Sequence, residues 1–406
     1  MNHTYVLQHC RLIPQLSEEG APELADIVIR DGIIAGIRES GKKTYEGMEV
    51  FDLAGKTLMP GIIDAHIHLS MTETNPAEAN YVDPCARTLR DLKYAKHLLD
   101  IGVTTVRDCG EDRYFSVTAL RNAVNEGTVQ GPHIYTSGIT MTPTNAGGTP
   151  DSEFGYMVPY NVDSKEEMRK AVRINFARGA DFIKLYGTGS MMGKGSVPGI
   201  GIMEDYEILE AVKIAEENET YCAIHCHGAK AIVQALNCGV RTIEHASFID
   251  KEGLDLLAGR KDAGIIPTLS VTMELIEHTD PDSEYGKHVI PKVSALLEKI
   301  RICLNSAYQR GDILIGWGTD QSLAAYTREP GSEFRHRHDF LGWNNADILK
   351  QATVNSAVLM GIDDRTGLVA EGKDADLIVI DGDPVNDITV MYRKPEHVFL
   401  KGTMIR

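Results

Sequence analysis

Eight times over about 300 residues, an apolar strand-like run is followed by an amphipathic helical stretch, the count of a (β/α)8 barrel. The strand candidates fall at 62–68, 103–109, 133–138, 181–186, 221–227, 240–245, 265–271 and 313–319. Helical patterns fill the intervals at 85–101, 115–126, 164–178, 205–217, 229–238, 251–263 and 291–310, and 347–351 and 355–360 follow the last strand. Glycine stands where several of these helices should stop, at Gly102, Gly179, Gly239, Gly264 and Gly311. Alternating strands and helices call for a parallel sheet, and eight units close it into a barrel. An open doubly wound sheet fits some of the units but does not require eight.

The flanks have a different texture. Thr4–Leu12 alternates, Ala25–Arg30 and Ile33–Ile37 read as a hairpin around Asp31-Gly32, and Val50–Leu53 and Lys56–Met59 add two short strands. At the other end Ala375–Ile380, His397–Leu400 and Thr403–Arg406 read the same way. Neither end can close a sheet around a core alone. The reading is therefore α/β, a (β/α)8 TIM barrel over 59–363, with a small composite β-sandwich built from 1–58 and 364–406.

A formal net charge of −17, with no basic stripe to offset it, argues against nucleic acid or an anionic membrane as partner. No apolar run approaches the roughly 20 residues of a membrane span, and the N-terminus lacks the pattern of a signal peptide. Seven scattered cysteines are not a disulfide framework. A cytoplasmic protein acting on a small-molecule substrate is the expectation, with a homo-oligomer left open.

In a barrel the reactive side chains belong at the C-terminal ends of strands. His66 and His68 close the first strand on one face, since alternate residues share a face. Lys184 lies late in the fourth strand, His225 and His227 late in the fifth, His245 ends the sixth and Asp320 the eighth. Each has an ordinary structural reading: a strand-end lysine snorkels, a strand-end aspartate caps the next helix. Together they form a set that imidazole and carboxylate metal chemistry would use. Cys222 and Cys226 fall on the opposite face from His225 and read as structural.

On His66/His68, Lys184, His225, His245 and Asp320, with Met59-Pro60-Gly61 before the first strand and the split sandwich, the chain resembles the binuclear-metal members of the amidohydrolase superfamily. Gly239–Ile249 and Ala370–Ile380 resemble its imidazolonepropionase-related branch, and within that branch the metal-dependent Xaa-Pro dipeptidases and carboxypeptidases. The resemblance implies two divalent ions, Zn²⁺ first among Mn²⁺, Co²⁺ and Fe²⁺. His66, His68 and Asp320 would hold one, His225 and His245 the other, and Lys184 would bridge them as a carbamate (N6-carboxylysine). A shared water, acidified by the ions, would attack a carbonyl as a bridging hydroxide, with Asp320 as base and His227 touching substrate or polarising the carbonyl. The implied activity is hydrolysis of an amide or peptide C–N bond, in a dipeptide or N-acyl amino acid. The alternatives are a cyclic-amide hydrolase or deaminase and, outside enzymes, a non-catalytic scaffold.

Specificity is expected from three loops, 139–163 with Tyr156 and Tyr160, the glycine-rich 187–202 with Lys194, and 271–290. Lys194 or the Arg335/Arg337 pair could receive a substrate carboxylate, and His336 and His338 read as surface. One departure from the related dipeptidases stands out. Where they carry a histidine after paired glycines, this chain has Gly147-Gly148-Thr149.

Overall fold

In the computed structural model, residues 4–72, 82–144, 159–193 and 196–406 are described. The N-terminal strands are β1 (Thr4–Leu12), β2 (Leu24–Arg30), β3 (Ile33–Glu39), β4 (Glu49–Asp52) and β5 (Thr57–Pro60). Asp31 and Gly32, at φ 51° and 83°, make the β2–β3 turn, a backbone that favours such a residue pair. The barrel strands are β6 (Ile62–Ile67), β7 (Val103–Asp108), β8 (His133–Thr136), β11 (Ile183–Tyr186), β12 (Cys222–Cys226), β13 (Thr242–His245), β14 (Gly264–Ile266) and β15 (Leu314–Ile315). Two short strands, β9 (Met141–Thr142) and β10 (Tyr160–Asn161), lie on the β11 edge, and β16 (Leu377–Ile380), β17 (His397–Leu400) and β18 (Thr403–Met404) close the chain.

Both ends of the chain meet in one sheet, ordered β18-β17-β16-β5-β1-β2-β3 with β4 beside β1. The join is β16 antiparallel to β5, Leu377 opposite Pro60 and Ile380 opposite Thr57. Tyr5, Leu7, Ile27, Leu58, Val379 and Phe399 form a core there separate from that of the barrel. All eight expected barrel strands are present and parallel. Single backbone bonds close the ring between its two ladders: Asp181 N–H to Thr136 O (2.7 Å) on one side, Ala65 N–H to Trp317 O (3.0 Å) and Asp320 N–H to His66 O (2.8 Å) on the other.

The helices begin and end for local reasons. In α1 (Pro84–Asp100) the Asp83 carboxylate accepts from the N–H groups of Cys85 and Ala86, and α2 is Ser116–Asn125. Ser164 caps α3 (Lys165–Arg178), which stops at Gly179 with φ 102°. α4 (Asp205–Glu217) and α5 (Ala229–Asn237) lie where expected, but α6 ends at Leu257 (Lys251–Leu257), short of the expected 263. Gly264 is not a helix stop. It lies inside β14, where a Cβ would meet Leu314 O at 2.0 Å, so its role is close strand approach.

The stretch expected as the 271–290 loop is helical instead, as α7 (Leu269–Glu277) and the start of α8 (Glu284–Ser294); α9 (Leu297–Arg310) is separate. Pro291 reads as a helix start in sequence, but Ser283 Oγ, accepting from Gly286 N–H at 2.9 Å, begins the helix two turns earlier. No helix among the described residues is long and apolar enough to cross a membrane.

Candidate metal centre

His66, His68, Lys184, His225, His227 and His245 are all buried and Asp320 is partly exposed, and they converge at the C-terminal ends of the barrel strands. Ring centroids of His225, His227 and His245 lie 4.5–4.8 Å apart, and His66 is 4.9 Å from His245 and 5.6 Å from His68. The donor atoms fall into two groups, each within 4.8 Å: His66, His68 and Asp320, and His225, His227 and His245. His227, expected from sequence to touch the substrate, has its ring among the histidines of the second group.

The side-chain directions come from backbone detail as much as from strand alternation. Alternation sends Glu244 and His245 to opposite faces. His245 stands at φ 68° and Ala246 at φ 49°, so the chain turns at the strand end and brings His245 to the same centre that Glu244 faces. Asp320 is likewise left-handed, at φ 56°. Asp64, two residues before His66, fixes the first and last strands together. It accepts from His66 N–H (3.1 Å), Thr319 N–H (3.2 Å), Thr319 Oγ1 (2.7 Å) and Tyr326 Oη (2.6 Å).

Four of the five imidazoles are held from behind. His66 Nδ1 meets Glu244 Oε2 (2.7 Å), His68 Nδ1 meets Gly110 O (3.1 Å), His227 Nδ1 meets Ser247 Oγ (2.8 Å) and His245 Nδ1 meets Thr268 Oγ1 (2.6 Å). Burial disfavours the imidazolium, holding His66 at about 4 and His227 at about 3, with His68, His225 and His245 also well below the ordinary histidine value. Neutral imidazoles are what ligation requires. His225 Nε2 is buried without a hydrogen-bond partner. Burial also lifts the Asp320 carboxyl to about 7. Lys184 Nζ lies 3.5 Å from His66 Nε2 and, among the described residues, makes no ion pair with an acid. An unpartnered buried nitrogen, neutral rings and a buried lysine amine beside His66 fit a site built for divalent metal.

Other expected contacts lie elsewhere. Arg337 is fully buried and bonds Glu333, Gly316 O, Gln351 and Pro267 O, so it does not face a substrate. Arg335 pairs with Glu329 and Glu277. His336 is buried, contrary to the surface reading, because 336–340 form a π-helical turn that shifts the facing of the chain; His338 is exposed. Tyr160 packs against the main core. Cys222 and Cys226 are core residues, as their parity implied. Tyr156, Lys194 and Gly147–Thr149 lie outside the described residues. Arg107, Glu244, Thr268 and Ser247 escaped the sequence reading. Only Asp64 carried a usable signal, its position two residues before His66 on the same strand face.

Polar residues gathered at the strand ends of a (β/α)8 barrel, with a split sheet outside it, define a barrel-type protein with a candidate metal-binding centre where such barrels keep their reactive groups. Residues 57–405 match the Amidohydrolase family, and the chain belongs to it. Ochratoxinase of Aspergillus niger is 26% identical over 416 residues, covering 94% of this chain and 83% of its own. A prolidase solved in complex with N-methylphosphonate-L-proline superposes with a TM-score of 0.87 at 29% identity, over 99% of each chain. A Xaa-Pro dipeptidase solved with methionine in the active site gives 0.86 at 26%, over 99% of this chain and 100% of that one.

Proposed function

We propose that this amidohydrolase cleaves an amide or peptide C–N bond in a small substrate, a dipeptide or an N-acyl amino acid, at a centre for two divalent ions. The observation that carries the reading is Lys184, a buried lysine 3.5 Å from His66 Nε2 of the first group and near enough to His225 and His245 of the second to act on them electrostatically. As a carbamate it would offer two oxygens sharing one negative charge, a donor set able to bridge the groups. His66, His68 and Asp320 would hold one ion, and His225 and His245 the other, with His227 within ligand reach of the same pair. Bound ions there would supply Lewis acidity and bring the pKa of a water toward neutrality, Zn²⁺ suiting this donor set.

The chain's own groups divide the remaining work. Asp320 Oδ1 lies 3.5 Å from His68 Nε2 and 3.8 Å from His66 Nε2, which puts its carboxylate at the centre, within reach of the proton of an attacking water. It then returns that proton to the leaving nitrogen. His227, anchored through Nδ1 to Ser247, presents its other nitrogen to the centre, placed to orient a substrate carbonyl. The N-methylphosphonate-L-proline bound by the prolidase and the methionine bound by the Xaa-Pro dipeptidase support a small peptide, and ochratoxinase shares the fold.

Metal analysis and a substrate screen test the reading. About two ions per chain, and turnover of dipeptides or N-acyl amino acids by metal-loaded protein, are expected; turnover of lactams alone would favour a cyclic-amide hydrolase instead. Lys184→Ala should lose metal and activity together; an active, fully metallated Lys184→Ala protein refutes the bridge. Asp320→Asn should lower kcat by about 10²–10⁴-fold, and a near-normal kcat removes it as the base.

A further inference from the structure

Beneath the histidines, inside the barrel, lies a buried ion pair outside the two donor groups assigned to the ions; its Glu244 also lies within donor reach of His66 and Cys109. Arg107 of β7 and Glu244 of β13 are both 0% exposed. Arg107 donates from Nε to Ala65 O (2.6 Å), from Nη1 to Thr242 Oγ1 (3.0 Å) and from Nη2 to Glu244 Oε1 (2.7 Å). Thr242 Oγ1 donates to the same Oε1 (2.6 Å), and the other oxygen, Oε2, faces His66 Nδ1 at 2.7 Å. The guanidinium also sits 5.2 Å over the Phe182 ring. A buried ion pair is a poor stability device, since well-packed apolar residues of like volume do as well or better. What an apolar pair cannot do is hold a proton on one nitrogen of a neighbouring imidazole.

We propose that Arg107 and Glu244 are positioning residues that lock His66 in the Nδ1–H tautomer, leaving the Nε2 lone pair aimed at Lys184 and Asp320. The logic runs by donor and acceptor count. Arg107 is donor-only, so it commits Oε1 as acceptor and keeps the carboxylate ionised. Oε2 can then only accept, and His66 Nδ1 must donate. His68 is fixed in the same sense by a carbonyl, Gly110 O. His227 and His245 rest on the hydroxyls of Ser247 and Thr268, which can donate or accept and so impose no tautomer. The lock thus belongs to the pair His66 and His68.

The inference rests on the proposal that His66 is a metal ligand, but its central measurement does not. Glutamine at 244 cannot serve both neighbours. With its oxygen toward Arg107, its NH₂ faces His66 Nδ1, which must then accept, moving the proton to Nε2. Heteronuclear NMR of the metal-free protein should show His66 as the Nδ1–H tautomer in the wild type and as Nε2–H in Glu244→Gln. In chelator competition Glu244→Gln should bind the His66 metal about 10–100-fold more weakly. The double variant Arg107→Met/Glu244→Gln frees the amide to rotate, and it should recover both the tautomer and most of the affinity. A Glu244→Gln protein with the wild-type tautomer overturns the proposal, as does a folded double variant no better than Glu244→Gln. If the double variant does not fold, the single-variant NMR result still decides. Should His66→Ala leave metal content unchanged, the ligand reading fails while the tautomer result stands apart from it.

Discussion

Arg337 separates a substrate-binding role from a structural one. Its Nε donates to Glu333 Oε1 at 2.7 Å, Nη1 to Gly316 O at 2.8 Å and Gln351 Oε1 at 2.6 Å, and Nη2 to Pro267 O at 2.9 Å. Pro267 and Gly316 follow directly on β14 and β15, so the guanidinium ties the ends of the last two barrel strands together. Arg337→Met would leave Glu333 charged and fully buried, although Ser270 still donates to it from N–H (2.7 Å) and Oγ (2.8 Å). Removing one partner of a buried pair costs about 3–5 kcal/mol; the surviving Ser270 bonds favour the lower half, and the orphaned carbonyls push back up. A working figure of about 4 kcal/mol is a large share of a typical stability of about 5–15 kcal/mol. The assay is urea unfolding with the slope checked for constancy, run beside Arg335→Gln, whose surface pairs are worth about 1 kcal/mol or less. Adding Glu333→Gln to Arg337→Met should restore part of the loss by removing the stranded charge. An Arg337→Met protein with an unchanged midpoint and a raised KM for peptide substrate would refute this account.

Three further outcomes follow from particular contacts. A Cβ on Gly318 would lie 2.7 Å from His66 Cβ and 2.8 Å from Ile266 Cγ2, so Gly318→Ala should lower metal content per chain, whereas Gly199→Ala, with open space around it, should not; equal metal content in the two contradicts this. Lys292 Nζ caps the carbonyls of Ser190 (3.1 Å), Gly193 (3.2 Å) and Ser196 (2.6 Å), so Lys292→Met should speed protease cleavage between Tyr186 and Met203, and an unchanged cleavage rate would count against it. Burial lifts the Glu111 carboxyl to about 7, so folding takes up a proton and stability falls as pH rises from about 4.5 to about 7, by up to about 3 kcal/mol. The stability of Glu111→Gln relative to wild type should therefore improve between about pH 5 and about pH 8, and a difference that does not vary with pH would exclude that role.

The barrel was legible because its signal is periodic and local. An apolar run between turn residues marks a strand wherever it lies, and eight of them leave few architectures. The histidines and Lys184 were legible because strand ends are where a barrel keeps its polar groups. What stayed hidden depends on long-range pairing. Arg107 reads as a polar residue in an apolar strand, and only the fold sets it against Glu244, 137 positions away. Arg337 reads as one of several charges on a helix until Glu333 and the two carbonyls surround it. The helix at 284–294 was misread because Pro291 is a stronger sequence cue than the Ser283 cap that outweighs it.

The backbone outliers connect these points. Left-handed residues other than glycine cost roughly 1–3 kcal/mol where tertiary structure must hold them. Three of them, His245, Ala246 and Asp320, stand at the strand ends that carry the donors. Strand alternation alone would aim either Glu244 or His245 at the centre, not both. The turn at His245 permits both, Glu244 behind His66 and His245 beside it. At Asp320 the same departure is held by the N–H bond to His66 O and by Thr319, which Asp64 grips through both its N–H and its hydroxyl. The strain therefore lies where two side chains from one strand must serve one site. At Asp320 the bonds that over-determine it run through His66 and Asp64, so the same contacts that place the first candidate ligand also place the last.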